Sequence, residues 1–220
     1  YHGIENDGFC ENRCFGSHGS HAEPWNVYHN TCVSRNELSV GFGQYILDEL
    51  AEHPYYLLNN IFIQKFPRGK LMASVRVESR QSLGKQIGDG NIYWRYPNED
   101  NEQAQEPLMH LFRYLGENQE FRYSTESFQS FEAFRNHDFF RRTQSFYPQG
   151  FFGLEARTRF QDPLLNEFYR PTEASPALQP VFQVQDYFPH WLGSDTFHIG
   201  ACGSDPSVHD ACWLYQQLND

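Results

Sequence analysis

The sequence predicts an α+β protein, mainly an antiparallel β meander curled into a barrel or half-barrel, with a helix before it and short helices packed outside. Three observations predict it. Segments of strict period two follow one another through the middle of the chain. Turns rich in glycine and proline join them, as hairpins require. Several strands carry large side chains on both faces, as where Tyr93 opposes Trp94 and Tyr96, or Phe182 opposes Tyr187. A long sheet covered on both sides must curl or be packed over.

The elements follow in chain order. Residues 1–35 are polar, rich in Gly and His, and read as an irregular cysteine-stapled segment ahead of a single β-rich domain over 36–220. In 36–54, Leu38, Phe42, Tyr45, Ile46 and Leu50 share one helical stripe between a cap at Asn36 and a stop at Pro54. The period then changes to two. A strand over 56–66 runs to the turn at Pro67-Arg68-Gly69, and a second over 70–80 completes a hairpin. A short aromatic strand follows over 92–97, then an acidic loop over 98–107. Residues 108–116 favour a short helix, and 120–126 a strand. Phe128, Phe131 and Phe134 suggest a helical turn or two within 127–142. Residues 151–161 alternate as a strand, 162–180 form a proline-punctuated loop, and late strands are expected over 181–188 and 196–200. The tail after Cys212 suits a short helix, and no internal repeat is evident.

Composition narrows the function. A net charge of −11 argues against nucleic acid and anionic lipid, both of which reward basic surfaces. The longest apolar runs are too short to span a membrane. The chain opens Tyr-His-Gly without an initiator Met, as a chain does whose leader has been removed or that has been cut to size. Of five cysteines, Cys10, Cys14 and Cys32 lie early and Cys202 and Cys212 late, a pattern of staples that points to an extracellular, secreted protein. The odd count leaves one thiol to be buried, to join two copies in a homo-oligomer, or to carry a covalent group.

Charge on the strands raises the question of a binding site. Arg76, Glu78 and Arg80 alternate with Val75 and Val77, and Glu155, Arg157 and Arg159 alternate with Leu154, Ala156, Thr158 and Phe160. Solvent-facing strands with cross-strand ion pairs account for most of these charges. Arg76 or Arg157 turned inward would instead meet an acidic ligand group, for which arginine's planar fork is suited. Trp94, Tyr96, Phe160 and Phe182 would line the apolar part of such a pocket. This yields the leading expectation: a binding protein, more plausibly than an enzyme, holding a small apolar or aromatic ligand (a lipid, carotenoid or bilin-like pigment) inside the curved sheet.

Histidine supplies the alternatives. His18 and His21, three residues apart with Glu23 and His29 nearby, could hold Zn or Cu in an extracellular metal-dependent enzyme. A Gly/Ser-rich histidine loop is also commonly just exposed. His190, His198 and His209 lie among aspartates, a pattern that serves structural pairs as readily as a general base. The acidic loop offers oxygen atoms to Ca. A third alternative is a disulfide-linked matrix protein.

The run 195–212, with Phe197, Ile199, Asp205, Pro206, Ser207, Val208 and Cys212, resembles the closing segment of ependymin-related proteins. That resemblance covers under a tenth of the chain. It implies a secreted, disulfide-bonded protein with a curled antiparallel sheet around an apolar pocket, and calcium binding in some members.

Overall fold

The computed structural model describes residues 4–6, 26–34, 40–47, 55–65, 71–77, 86–96, 109–111, 114, 115, 118, 120–122, 126–147, 149–152 and 155–182. Nine strands fill the first part: β1 (Ile4–Asn6), β2 (Asn26–Tyr28), β3 (Thr31–Ser34), β4 (Val40–Leu47), β5 (Tyr55–Leu58), β6 (Ile61–Gln64), β7 (Leu71–Val77), β8 (Gln86–Asp89) and β9 (Ile92–Arg95). They do not pair with their chain neighbours. Each pairs, parallel and in register, with its counterpart about thirty residues on, giving β2–β5–β8, β1–β3–β6–β9 and β4–β7. A chain that passes through three sheets in turn and returns one strand further along is a parallel β-solenoid.

Two further pairs form antiparallel sheets of their own. β10 (Met109–Leu111) is antiparallel to β13 (Glu126–Phe128), and β11 (Tyr114–Leu115) to β12 (Phe121–Arg122). Helices α1 (Phe131–Arg135) and α2 (Asp138–Thr143) follow, and then β14 (Arg159–Phe160), which extends the largest sheet by pairing parallel to β9. One register column therefore runs Ile4, Cys32, Phe62, Tyr93, Phe160 through all five strands. The Phe62 and Tyr93 rings stack at 4.8 Å, and Phe131 sits 6.2 Å from Tyr93 and 6.0 Å from Phe160.

This architecture overturns the antiparallel meander, the β-barrel and the hairpin over 56–80. Period two is common to both kinds of sheet; what distinguishes them is the partner, which the pattern does not carry. Large side chains on both faces, read as a sign of curling, instead reflect parallel sheets covered on both sides. The helix expected within 36–54 is the strand β4, whose Val40, Gly41 and Phe42 pair with Leu71, Met72 and Ala73. Glycines at 41 and 43 disfavour a helix and are tolerated here by a strand with a register shift between Phe42 and Tyr45. The single run 56–66 is two strands, because Asn59 takes a left-handed φ of 55° and turns the chain. Residues 109–111 and 114–115 are strands, where a helix was expected. Among the described residues of 151–161 only Arg159–Phe160 is strand, since Glu155 adopts φ 55° and opens a turn. The turns expected in 127–142 form as α1, capped by the Ser130 side chain accepting from the Ala133 N–H, and α2. The segments 98–107 and 183–220 lie outside the described residues.

Residues 147–182 fold back over the outside of the coils. Tyr28, Tyr56, Leu58 and Ile87 are covered by Tyr147, Phe151, Val181 and Phe182. Val33, Ile61, Ile63, Ile92 and Trp94 are covered by Leu165, Tyr169 and Ala177. Cys32, which is disulfide-bonded, is buried within the stack. Among the described residues no helix is long and apolar enough to cross a membrane.

Candidate functional site at the end of the coil stack

Each coil turns from one sheet to the next at a two-residue corner: His29-Asn30, Asn59-Asn60 and Gly90-Asn91. The first residue has a left-handed φ, 52°, 55° and 67° respectively, a conformation open to glycine and tolerated by Asn or His. The second is an asparagine pointing into the stack. Asn30 Nδ2 donates to Asn60 Oδ1 at 3.0 Å, and Asn60 Nδ2 to Asn91 Oδ1 at 3.1 Å. Each receiving Oδ1 also accepts the preceding rung's backbone N–H, at 3.0 and 2.9 Å. The second hydrogen of each Nδ2 goes to a carbonyl: Tyr28, Val27 and Leu57 in turn. The amide nitrogens of the ladder and the oxygens of Asn60 and Asn91 are thereby paired, as buried polar groups require, while Asn30 Oδ1, at the start of the ladder, has no hydrogen-bond partner among the described residues.

The ladder has a direction, with every amino group aimed at the later coil. It ends where the fourth corner departs from the pattern. Thr158 stands at the ladder position, 67 residues beyond Asn91, and its Oγ1 accepts the Asn91 N–H at 3.0 Å. Asn91 Nδ2 is met by Glu155 Oε2 at 3.0 Å. Two side chains thus share the work of one asparagine oxygen, and the terminal acceptor is a carboxyl group. Thr158 Oγ1 also donates to Glu155 Oε2, and the Tyr93 hydroxyl donates to Oε1 at 2.9 Å.

A second carboxylate lies beside it. Asp89 Oδ1 accepts from the backbone N–H groups of Gly90 and Arg157 at 2.9 and 2.6 Å, and Oδ2 from Arg157 Nε at 2.9 Å. Both carboxyl groups have no solvent exposure. Burial pushes the Glu155 carboxyl above the usual range against its hydrogen bonds from Thr158 and Asn91, and the charge of Asp89 pushes the same way. Asp89 is also raised by burial, with Arg157 opposing. Tyr147, packed over the cluster, is held protonated by burial and by these two acids.

The outward side of the corner is different. Arg157 Nη2 donates to the Gly150 carbonyl at 2.8 Å, so two sides of the guanidinium are fixed. Its Cζ lies 4.2 Å from the Phe182 ring centroid and 5.2 Å from that of Phe152. Phe182 stacks on Phe151 at 5.3 Å. Phe152 is 56 % exposed, the most solvent-facing large apolar side chain among the described residues. The result is a ledge of Phe152 and the Arg157 plane, with Nη1 not hydrogen-bonded among the described residues.

Of the residues expected to bind ligand, Trp94, Tyr96, Arg157, Phe160 and Phe182 all gather round the third coil, in two groups. Trp94 lies 5.7 Å from Phe160 and packs on the Val33–Ile63 cluster, with Tyr96 exposed two residues on. Arg157 and Phe182 form the ledge across the Asn91 corner. Inside the coil the Phe62 and Tyr93 rings stack, and both are buried. Arg157 is committed to Asp89, which limits it as a free anion anchor. Arg159 is half-buried, donating to the carbonyls of Pro176 and Gln179. The backbone of Arg76 pairs with Ile46 in β7; its side chain, and His18 and His21, lie outside what the structure describes, as do His190, His198 and His209. His29 is a buried corner residue. Among the described residues no group of three or more His, Cys, Asp or Glu is placed to hold a metal ion.

Asn30, Asn60, Asn91 and Asp89 do not stand out in the sequence analysis, and Glu155 enters it only as one of the alternating charges. The signal for the first three is visible in it: Tyr-His-Asn-Thr, Leu-Asn-Asn-Ile and Asp-Gly-Asn-Ile, with the asparagines 30 and then 31 residues apart. Such a period marks stacked coils. Comparison of the chain with protein-family models, curated proteins and solved structures finds no match.

Proposed function

We propose that the protein binds a small apolar or aromatic ligand carrying an acidic group, seated outside the coil stack against Phe152 and Arg157. The observation that carries this reading is the exposure of Phe152 beside a guanidinium held rigid by Asp89 and Gly150. An apolar face next to a fixed, partly solvent-facing cation suits a flat anion, through contact with the ring and a hydrogen bond to Nη1. Immobilising Arg157 in advance removes an ordering cost from binding. The ligand is not enclosed by a curved sheet, and its site is shallower than a closed pocket. An extracellular setting goes with this reading, supported by the disulfide at Cys32 in a chain with few cysteines.

The test uses anilinonaphthalene sulfonate, a flat apolar anion, titrated into the whole chain and followed by fluorescence. Binding in the micromolar range is expected, weakened about tenfold, or ~1.4 kcal/mol, in Phe152→Ala. The exposed Phe146 serves as control, and Phe146→Ala should leave affinity unchanged. Equal loss in both variants, or no binding by the parent, would sink the assignment.

A further inference from the structure

We propose that the turn 155–158 is a proton-dependent latch: a protonated Glu155 holds the fourth corner on the third coil, and an ionised Glu155 beside Asp89 loosens it. Three main-chain N–H groups make the attachment: Glu155 N–H to Gly88 O at 2.6 Å, Arg157 N–H to Asp89 Oδ1 at 2.6 Å and Arg159 N–H to Asn91 O at 2.9 Å. All three converge on residues 88–91, so the two buried carboxyl groups flank the segment that receives them. The latch works whether or not the Phe152 ledge carries a ligand.

Among the described residues, the groups facing Glu155 come from several packed elements. β8 brings Asp89, β9 brings Tyr93 with Asn91 just before it, and the turn itself brings Thr158 and Arg157, the latter bonded to Asp89. Tyr147 covers the cluster, and α1 reaches it only through Arg135 Nη1, which bonds the Thr158 carbonyl at 3.4 Å. Two carboxylates this close to one turn and shut off from water resist being ionised together. A protonated Glu155 keeps Oε1 as acceptor for Tyr93 and reverses its bond with Thr158, whose Oγ1 then accepts from both the carboxyl O–H and the Asn91 N–H. Since burial raises Glu155 in the folded state, folding takes up a proton. The stabilisation is therefore complete at pH below the ordinary glutamate range and is lost as pH rises through the raised folded value. Asp89, raised in the same direction, adds to the trend.

The test is amide hydrogen exchange between pH 5 and pH 8, corrected for intrinsic rates, on the whole chain. Protection of the 155, 157 and 159 amides should fall at least about tenfold relative to the Ile61 and Ile92 amides, the equivalent of one pH unit of linkage. Glu155→Gln, which imitates the protonated form, should abolish the difference and keep these amides protected at pH 8. A flat wild-type profile, or an unchanged slope in the variant, overturns the latch. Should the variant not fold, carbon-13 titration of Glu155 in the native chain decides: a midpoint at or below the ordinary glutamate value refutes the proposal.

Discussion

The coil stack and the segment that wraps it solve one problem in opposite ways. In residues 26–96 polar backbone is satisfied by repetition: strands pair with strands, and Asn30, Asn60 and Asn91 carry the same bonds one coil apart. In 155–182 it is satisfied locally, by single-use devices. Asp162 accepts from Leu164 N–H, Asn166 from Phe168 and Arg170 N–H, Ser175 caps a short turn at Pro176–Leu178, and Arg159 ties that turn's carbonyls to β14. A repeated bond depends on both of its neighbours, whereas a local device fails alone. Damage should therefore spread in the stack and remain confined in the wrap.

That contrast orders a set of substitutions by expected effect. The largest belongs to Asn60→Leu, which leaves two donors of Asn30 without their acceptor, removes the side-chain bond to Val27 O, and leaves Asn91 Oδ1 with only the backbone N–H of residue 60. At ~1–3 kcal/mol for a buried polar group left unsatisfied, the loss should be on the order of 4 kcal/mol by chemical denaturation. It should also speed exchange of the Ile61 and Ile92 amides together; loss at Asn60 alone would mean the rungs are independent. Phe182→Ala comes next. The ring is almost fully buried between Phe151 and Gly90, and its removal should cost about 3 kcal/mol while leaving exchange at Ile92 unchanged.

Gly90→Ala probes the point where the two regions touch. A Cβ there would meet Phe182 at 2.8 Å and Asn59 Oδ1 at 3.0 Å, with φ at 67°. About 2 kcal/mol is expected from the strain alone, and a thermal shift near zero would show that the corner and Phe182 can both yield. Ser130→Ala removes the α1 cap on an exposed helix start. It should cost only about 1 kcal/mol, read as a small fall in melting temperature with the stack amides untouched.

How much of this was legible varies by residue. The alternation in Ile61–Gln64 and Ile92–Arg95 gives the strands, and the phenylalanines at 131 and 134 give α1. The wrap's loop character follows from its prolines. The outward assignment of Glu155 failed because a carboxyl group in an alternating segment is ordinarily solvent-facing. Only the ladder's need for a terminal acceptor draws it inside. Trp94 and Phe160, expected to line a ligand pocket, lie 5.7 Å apart and pack around Ala177 and Phe131.

By itself the sequence determined that Ile61–Gln64 and Ile92–Arg95 are strands, and its spaced asparagines carry the length of one coil, a repeat that the reading of alternation passed over. These are properties of residues within a few positions of each other, set by side-chain alternation and by which residues accept a left-handed corner. Which strand lies beside which, and that Thr158 and Glu155 close the end of an amide ladder, only the tertiary structure decided. Both depend on partners thirty or more residues away, and a hydrogen bond of that kind is a fact about distance in space rather than order in the chain.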